Sequence, residues 1–257
     1  MAMVGGEAGG ILPRSDGATI AYAKLAGKSP GVVFLHGFKS DMNGDKALAV
    51  EAFCRAQGRA CVRYDGFGHG RSSGRFEDGT IGRWVEDALS VIDELTEGPQ
   101  VLVGSSMGGW LMLLAALARP GRVAGLLGLA AAPDFTEDLI RGFFTAEHHA
   151  QLETEGRVLI DDYYGGEPYP VTRALLDEAQ SHLLLGGPIA IRCPVRLIHG
   201  QRDADVPWET SLRLADRLAA ADVAVTLVKS GEHRLSRPED LARLRDVLDG
   251  LLRQVGS

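Results

Sequence analysis

The feature that most constrains the fold is the segment QVLVGSSMGGWL at residues 100–111. Its first half is an apolar run typical of a buried strand, and its second half is rich in small and apolar residues that favour a helix. Between the two halves, Gly104 and Gly108 stand two residues before and two residues after Ser106. Small residues at both offsets allow a sharp turn from strand into helix, and the turn pushes the central side chain above the sheet. Because Ser105 has larger residues at these offsets, the spacing selects Ser106.

Strand-like runs recur on both sides of this turn. Residues 18–27 predict an early antiparallel pair, and six further runs predict strands of a largely parallel sheet: 31–37, 60–66, 100–105, 123–130, 194–200 and 223–230. Several of these runs are apolar throughout, as is typical of strands that are covered on both faces.

Helical patterns lie between the strands. Apolar residues recur at helical spacing in 80–95, where Thr80 is the predicted N-cap. In the last segment, Ser236 and Glu239 predict a capping box, with Pro238 inside the first turn. The alternation of strands and helices predicts the α/β class, with a mostly parallel central sheet flanked by helices.

One stretch interrupts this alternation. Residues 134–192 contain helical patterns on either side of a middle part rich in Gly, Pro and Tyr. Because this stretch is too long and too patterned for an ordinary loop, we interpret it as an inserted helical lid. The predicted organisation is therefore a flexible N-terminus at 1–16, a core made of 17–133 and 193–257, and the lid between the two core parts.

Composition limits the partners and the compartment. With 45% hydrophobic and 24% charged residues and a formal net charge of −7, the chain resembles soluble globular proteins and lacks a basic surface for nucleic acid. No apolar run reaches the roughly 20 residues of a membrane span, and the first residues do not resemble a signal peptide. The three cysteines fit neither a disulfide framework nor a CxxC metal site. We expect a cytoplasmic monomer or homodimer without stable membrane insertion.

A serine at such a turn becomes a strong nucleophile only beside a base and an orienting acid. In sheets of this kind the chain order is serine, then acid, then histidine. His233 is the histidine that follows the last predicted strand, and Asp203 and Asp205 both follow the strand before it. We favour Asp203 as the acid and assign Asp205 a capping or solvated role.

A tetrahedral oxyanion needs two fixed N–H donors. The backbone of Met107, directly after the serine, predicts one donor, and Phe38 in the LHGF segment predicts the other. The Phe38 side chain is also a candidate wall of the acyl pocket. Further candidates for substrate contact are Trp110, Phe143 and Phe144, although the lid aromatics fit a small lid core equally well.

Rival motifs are weaker. DGFGHGRSSG at 65–74 has alternating glycines but lacks the GxGxxG spacing and the Lys-Ser/Thr ending of a phosphate loop. Glu147, His148 and His149 do not form an HExxH zinc motif. The remaining histidines, among them His36, His69 and His199, are best explained by structural or surface roles. We expect no cofactor and no metal.

Taken in order, LHGF, DGFGHGRS, GSSMGG, HGQRDADVP and GEH resemble the α/β-hydrolase superfamily over the chain from about residue 17. Residues 46–65, 98–120 and 193–211 look like the subfamily of mitochondrial palmitoyl-protein thioesterases and mycophenolic acid acyl-glucuronide esterases, with its bacterial relatives. The resemblance implies that Ser106 is the nucleophile, Asp203 the acid and His233 the base.

These observations predict a serine hydrolase that cleaves small-molecule carboxylic esters or thioesters through an acyl-enzyme, including acyl-protein or acyl-glucuronide substrates. Two alternatives remain open at this point. The same scaffold hydrolyses C–C bonds, and it also occurs in non-catalytic ligand-binding proteins.

Overall fold

The computed structural model describes residues 8–161 and 167–256. The ten strands among these residues are β1 (Ala8–Pro13), β2 (Thr19–Leu25), β3 (Lys28–Leu35), β4 (Arg59–Tyr64), β5 (Gln100–Ser105), β6 (Val123–Leu129), β7 (Arg157–Ile160), β8 (Tyr169–Thr172), β9 (Val195–Gly200) and β10 (Val223–Val228). Eight of them form one sheet in the order β1-β2-β4-β3-β5-β6-β9-β10, and β7 pairs with β8. Six helices of at least nine residues and shorter helical turns connect them.

The central sheet is parallel from β4 to β10, with β2 antiparallel to both β1 and β4. The prediction of a mostly parallel sheet is therefore confirmed. The expected flexible N-terminus is wrong for residues 8–13, because β1 forms a hydrogen-bonded ladder with β2 and buries Leu12 in the core. The first part of that segment, residues 1–7, lies outside the described residues.

The seven helices longer than five residues are α1 (Asp45–Ala56), α2 (Ile81–Leu95), α3 (Met107–Ala118), α4 (Ala146–Glu155), α5 (Arg173–Glu178), α6 (Glu209–Arg217) and α7 (Pro238–Val255), besides a π-helix at Thr136–Arg141. The Thr80 hydroxyl accepts the Arg83 N–H at 3.2 Å, which confirms the predicted cap of α2. The capping box predicted for α7 is wrong, because the helix begins at Pro238 with Arg237 as its N-cap and no side chain caps it.

Helices cover both faces of the sheet. This explains why several strands are apolar throughout and do not alternate between polar and apolar residues. Along β3, Val33 and Leu35 pack in the core that contains α2 and α3. Val32 and Phe34, which point to the opposite face, pack in the core that contains α1 and α7. Burial on both faces fixes the register of the strands, and with it the position of the loops that follow them.

The sequence predicts a helical lid at 134–192, but this segment, called the insertion below, is not purely helical in the structure. Besides the π-helix, α4 and α5, it contains the antiparallel pair β7 and β8. The carboxylate of the buried Asp134 accepts the N–H groups of Leu184 and Leu185, so this contact ties the start of the insertion to its end. Among the described helices, none combines the length and the apolar character needed to cross a bilayer.

Candidate active site

Ser106 lies at a sharp corner between β5 and α3. Its backbone has φ 55° and ψ −119°, in a region that non-glycine residues rarely adopt. A Cβ at Gly104 would overlap the carbonyl of Gly108, and a Cβ at Gly108 would overlap the carbonyl of Leu35. The two glycines therefore allow the strand and the helix to approach closely, while the Ser106 N–H donates to Leu129 O at 3.0 Å. The corner holds the hydroxyl at the N-terminus of α3.

A chain of hydrogen bonds runs from this hydroxyl into the protein. His233 Nε2 lies 3.1 Å from Ser106 Oγ, and His233 Nδ1 lies 2.8 Å from Asp203 Oδ2. Because the carboxylate only accepts, Nδ1–H donates to it, and Nε2 is left to accept the serine O–H. The three residues follow β5, β9 and β10, and the carboxyl ends of these parallel strands meet at one edge of the sheet.

Asp203 is held as an ionised acceptor. Its Oδ1 accepts the N–H groups of Asp205 at 2.9 Å and Val206 at 2.8 Å, while Oδ2 faces both His233 and His199. Burial by itself raises the pKa of Asp203, but hydrogen bonds from the two histidines outweigh it and hold this pKa well below its usual range. The carboxylate therefore stays charged at neutral pH.

Asp205 has a different position from Asp203. Its Oδ2 lies 4.0 Å from His233 Nε2, on the side of the ring that faces Ser106, and its side chain is partly exposed. Asp203, Asp205 and His233 offer ligand atoms within 4.8 Å of one another, a grouping that resembles a metal site. However, hydrogen bonds engage both oxygens of Asp203 and both nitrogens of His233, so we assign these atoms to the arrangement around Ser106.

The two residues predicted to supply N–H donors lie in segments next to the serine. Met107 is the first residue of α3, where an N–H has no acceptor within the helix. Among the described residues, the Phe38 N–H donates to none. The loop that carries Phe38 passes close to the serine, since a Cβ at Gly37 would lie 3.4 Å from Ser106 Cβ. Both residues line the same cavity as Ser106 and His233.

This cavity has a volume of about 800 Å³. Its apolar side is formed largely by the insertion and includes Phe135, Leu139, Ile140, Phe143, Phe144, Ile160 and Tyr169. The Phe38 ring packs against the rings of Phe135 at 5.4 Å and Tyr169 at 5.8 Å between centroids. Lys39, Asp41, Lys46, Asp205 and Arg234 also line the cavity, and Lys39 Nζ lies 5.1 Å from the centroid of the Tyr169 ring. The cavity thus contains both an apolar compartment, formed by these apolar side chains, and charged groups.

The candidate substrate contacts fall into two groups. Phe143 and Phe144 line the cavity, and Phe143 is 74% exposed. Trp110 does not line it, so that expectation is corrected. Trp110 lies on the inner face of α3, is fully buried, and donates its indole N–H to His182 O at 3.1 Å.

Sequence reasoning missed two kinds of residue. His199 was expected to be structural, but its Nε2 lies 3.1 Å from Asp203 Oδ2 and its Nδ1 lies 2.7 Å from Ser211 Oγ. The spacing of four residues between His199 and Asp203 was the available signal. Phe135, Leu139 and Tyr169 had no local signal, because only the folding of the insertion brings them to the cavity.

A mostly parallel sheet with a serine at a strand-to-helix corner, followed in chain order by an acid and a histidine, defines the hydrolase class of α/β proteins. Residues 32–244 match the model of the alpha/beta hydrolase family. The chain therefore belongs to the alpha/beta hydrolase family, and it is a hydrolase.

Individual relatives agree with this assignment. The chain is 45% identical over 245 residues to "Palmitoyl-protein thioesterase ABHD10, mitochondrial" from Homo sapiens, covering 94% of this chain and 79% of the relative. The solved structure of mouse alpha/beta hydrolase domain-containing protein 10 superposes with a TM-score of 0.89 at 41% identity, covering 96% and 99% of the two chains. A protein from Agrobacterium vitis S4, described as a hydrolase, superposes with a TM-score of 0.91 at 37% identity over 96% and 98%.

These comparisons confirm three expectations and overturn one. The predicted fold, the resemblance to the thioesterase subfamily and the ester or thioester hydrolase class are confirmed. The expectation of a cytoplasmic protein is wrong, since the human relative and its counterparts in Pongo abelii and Bos taurus are named as mitochondrial proteins.

Proposed function

We propose that this chain is a serine hydrolase that removes acyl groups from thioesters and esters through a covalent acyl-enzyme, with Ser106, His233 and Asp203 as its catalytic triad. The observation that carries the proposal is the hydrogen-bonded chain from Ser106 Oγ through His233 to Asp203 at the wall of a large cavity. A ligand-binding protein without catalysis would have no need of all three groups in this geometry.

In the first half of the reaction, Ser106 Oγ attacks the acyl carbonyl carbon while His233 Nε2 takes the hydroxyl proton. Asp203 stabilises the imidazolium that forms, and it keeps the ring in the tautomer that accepts from serine. The carbonyl electron pair moves onto oxygen, where the N–H groups of Phe38 and Met107 stabilise the oxyanion. When the tetrahedral intermediate collapses, the C–S or C–O bond breaks and His233 protonates the departing thiolate or alkoxide.

In the second half, water attacks the acyl-serine ester and His233 accepts its proton. The second tetrahedral intermediate uses the same two N–H donors. It collapses with transfer of the proton back to Ser106 Oγ, and the free carboxylic acid leaves. Over the whole cycle one water is consumed, and Ser106 and His233 return to their starting forms.

We infer the substrate class from the apolar and the charged residues that line the cavity. The apolar compartment beside Phe38, Phe135 and Leu139 fits an acyl chain, and the charged groups that line the same cavity fit a polar leaving group. The human relative is named a palmitoyl-protein thioesterase. We therefore propose that long-chain acyl thioesters are preferred over short-chain esters.

Ser106→Ala tests the nucleophile, with Ser105→Ala as a matched control. Ser105 is the adjacent serine and is buried on the strand side of the corner. We expect Ser106→Ala to lose kcat by about 10⁶-fold and to abolish covalent labelling by a fluorophosphonate probe, because the triad acts as a unit. Ser105→Ala should still be labelled. Labelling of folded Ser106→Ala at the parental rate contradicts the proposal.

Chain-length preference is measured separately. A series of acyl-thioesters and p-nitrophenyl esters from two to sixteen carbons gives kcat/KM for each length and each leaving group. We expect kcat/KM to rise with chain length as apolar surface enters the cavity. A steep fall beyond short chains would refute the long-chain preference while leaving the triad proposal in place.

A further inference from the structure

Two histidines hold the loop that carries Phe38. His36 Nδ1 lies 2.8 Å from Gly37 O, and His36 Nε2 lies 3.0 Å from the backbone nitrogen of Gly66. Because the Gly66 N–H donates to Nε2, the His36 proton is on Nδ1 and is donated to Gly37 O. Burial lowers the pKa of His36 to about 3, which agrees with this neutral form. Gly37 O and the Phe38 N–H belong to the same peptide group, so His36 fixes its plane.

His69 makes the second contact, from the glycine-rich loop at 65–74. Its Nε2 lies 2.6 Å from Phe38 O, and its Nδ1 lies 3.0 Å from Phe67 O. A carbonyl only accepts, so the shorter contact requires a proton on Nε2. Burial lowers the pKa of His69, which leaves the neutral ring with its proton on that atom.

The His69 ring is itself fixed by packing. It is buried, and ring centroids lie 4.7 Å away at His36, 5.2 Å at Phe76 and 5.4 Å at Trp84. The Trp84 indole N–H donates to Phe67 O at 2.9 Å, so that carbonyl already has a donor. His69 therefore donates its single ring proton to Phe38 O.

We propose that His69 is a positioning residue of the oxyanion hole, acting through its hydrogen bond to Phe38 O. Phe38 lies between two peptide groups, one held by His36 and the other by His69. With both carbonyls held, the backbone at Phe38 cannot rotate, and its N–H stays beside Ser106. The inference rests on the proposed function, in which that N–H stabilises the oxyanion. It also assigns a purpose to the DGFGHGRSSG segment, which is not a phosphate loop.

This role has a specific kinetic signature. The oxyanion exists only after Ser106 attacks, so a displaced Phe38 N–H weakens the transition state and leaves substrate binding unchanged. A displacement of about 1 Å or the loss of one donor costs on the order of 100-fold in rate. We therefore expect the loss in kcat, with KM changed by less than about twofold.

Three variants of His69 distinguish the contributions of its two ring nitrogens. His69→Met removes the Nε2–H donor, His69→Gln places an amide N–H near the Nε2 position, and His69→Asn places one near the Nδ1 position. His182→Gln is the matched control, because His182 is a partly buried histidine paired with Glu178 and does not line the cavity. We expect His69→Met and His69→Asn to lose about 10- to 100-fold in kcat, and His69→Gln to recover most of it.

An inhibitor gives an independent measurement. Ser106 adds to an alkyl trifluoromethyl ketone to form a C–O bond, and the carbonyl oxygen becomes an oxyanion while His233 takes the serine proton. The inhibition constant should rise across the His69 variants in proportion to the fall in kcat/KM. If His69 had a purely structural role, its variants would have a lower melting temperature, but their inhibition constants would not rise in proportion to the fall in kcat/KM.

The outcomes are distinct. If folded His69→Met keeps kcat within about twofold of the parent, the inference is refuted. If His69→Met does not fold, equal kcat values for His69→Gln and His69→Asn refute it. If Ser106→Ala retains activity, the proposed function fails, whatever the His69 variants show.

Discussion

Changing Asp203 to Asn tests the charge relation in the site with very little change in shape. In the structure, Asp203 Oδ1 accepts two backbone N–H groups, at 2.9 and 2.8 Å, and an asparagine oxygen at the same position can accept both. The amide nitrogen then takes the place of Oδ2, which faces His233 Nδ1 at 2.8 Å. Two donors cannot share that contact. His233 therefore carries its proton on Nε2, toward Ser106, where it cannot accept the serine proton.

The size of the effect follows from this wrong tautomer. Loss of the base and of the carboxylate that stabilises the imidazolium costs about 10⁴-fold in kcat, or about 5 kcal/mol in the activation free energy. The fold should tolerate the change, because His199 Nε2 retains Val206 O as an acceptor at 3.0 Å. KM is expected to stay close to the parental value, since Asp203 does not line the cavity.

Steady-state hydrolysis of a p-nitrophenyl ester, with circular dichroism to verify folding, measures this loss. Asp205→Asn is the matched control, because Asp205 is two residues away, was the alternative acid, and lies 4.0 Å from the other nitrogen of His233. We expect it to change kcat by less than about tenfold. A folded Asp203→Asn variant within tenfold of the parent, or the larger loss in Asp205→Asn, would refute the assignment of the acid.

Two further predictions concern stability. Gly108→Ala should lower the free energy of unfolding by about 1–3 kcal/mol, because its Cβ would overlap Leu35 O. Urea unfolding measures this, and Gly121→Ala, whose Cβ meets open space, should stay near parental stability. Burial raises the pKa of Asp87 to about 6, so the folded chain binds this proton more tightly than the unfolded chain and loses stability as pH rises from about 4 to about 6. This pH-dependent loss of stability amounts to up to about 3 kcal/mol in total, and Asp87→Asn should remove it. An unchanged dependence of stability on pH would contradict the assignment.

Much of the fold could be predicted because its signals are local. The Ser106 corner is encoded in five consecutive residues, and the parallel strands of the sheet are largely apolar runs bounded by turns, whereas β1 has no such run and was not predicted. The N-cap of α2 likewise depends on Thr80 and its own first turn. The predicted capping box of α7 failed because the helix begins at Pro238 with Arg237 as its N-cap, one residue later than the spacing of Ser236 and Glu239 requires.

The cavity wall could not be predicted in the same way. Whether an aromatic residue of the insertion faces the cavity depends on how the insertion folds back over the sheet. Phe135 and Tyr169 come from distant positions and meet at the Phe38 ring, whereas Trp110 lies close to Ser106 in sequence and is directed into the core. Helical phase and tertiary packing decide these orientations, and sequence proximity does not.

The sequence by itself determined the class of sheet, the corner that exposes Ser106, and the chain order of serine, acid and histidine. These depend on residue types at short spacings, or on the rule that carboxyl ends of parallel strands share one edge. Only the tertiary structure decided which donors surround Asp203, which residues form the apolar compartment, and how His69 reaches Phe38 O. Each of these contacts joins segments that lie apart in the chain, and their geometry is fixed by close packing of the whole core.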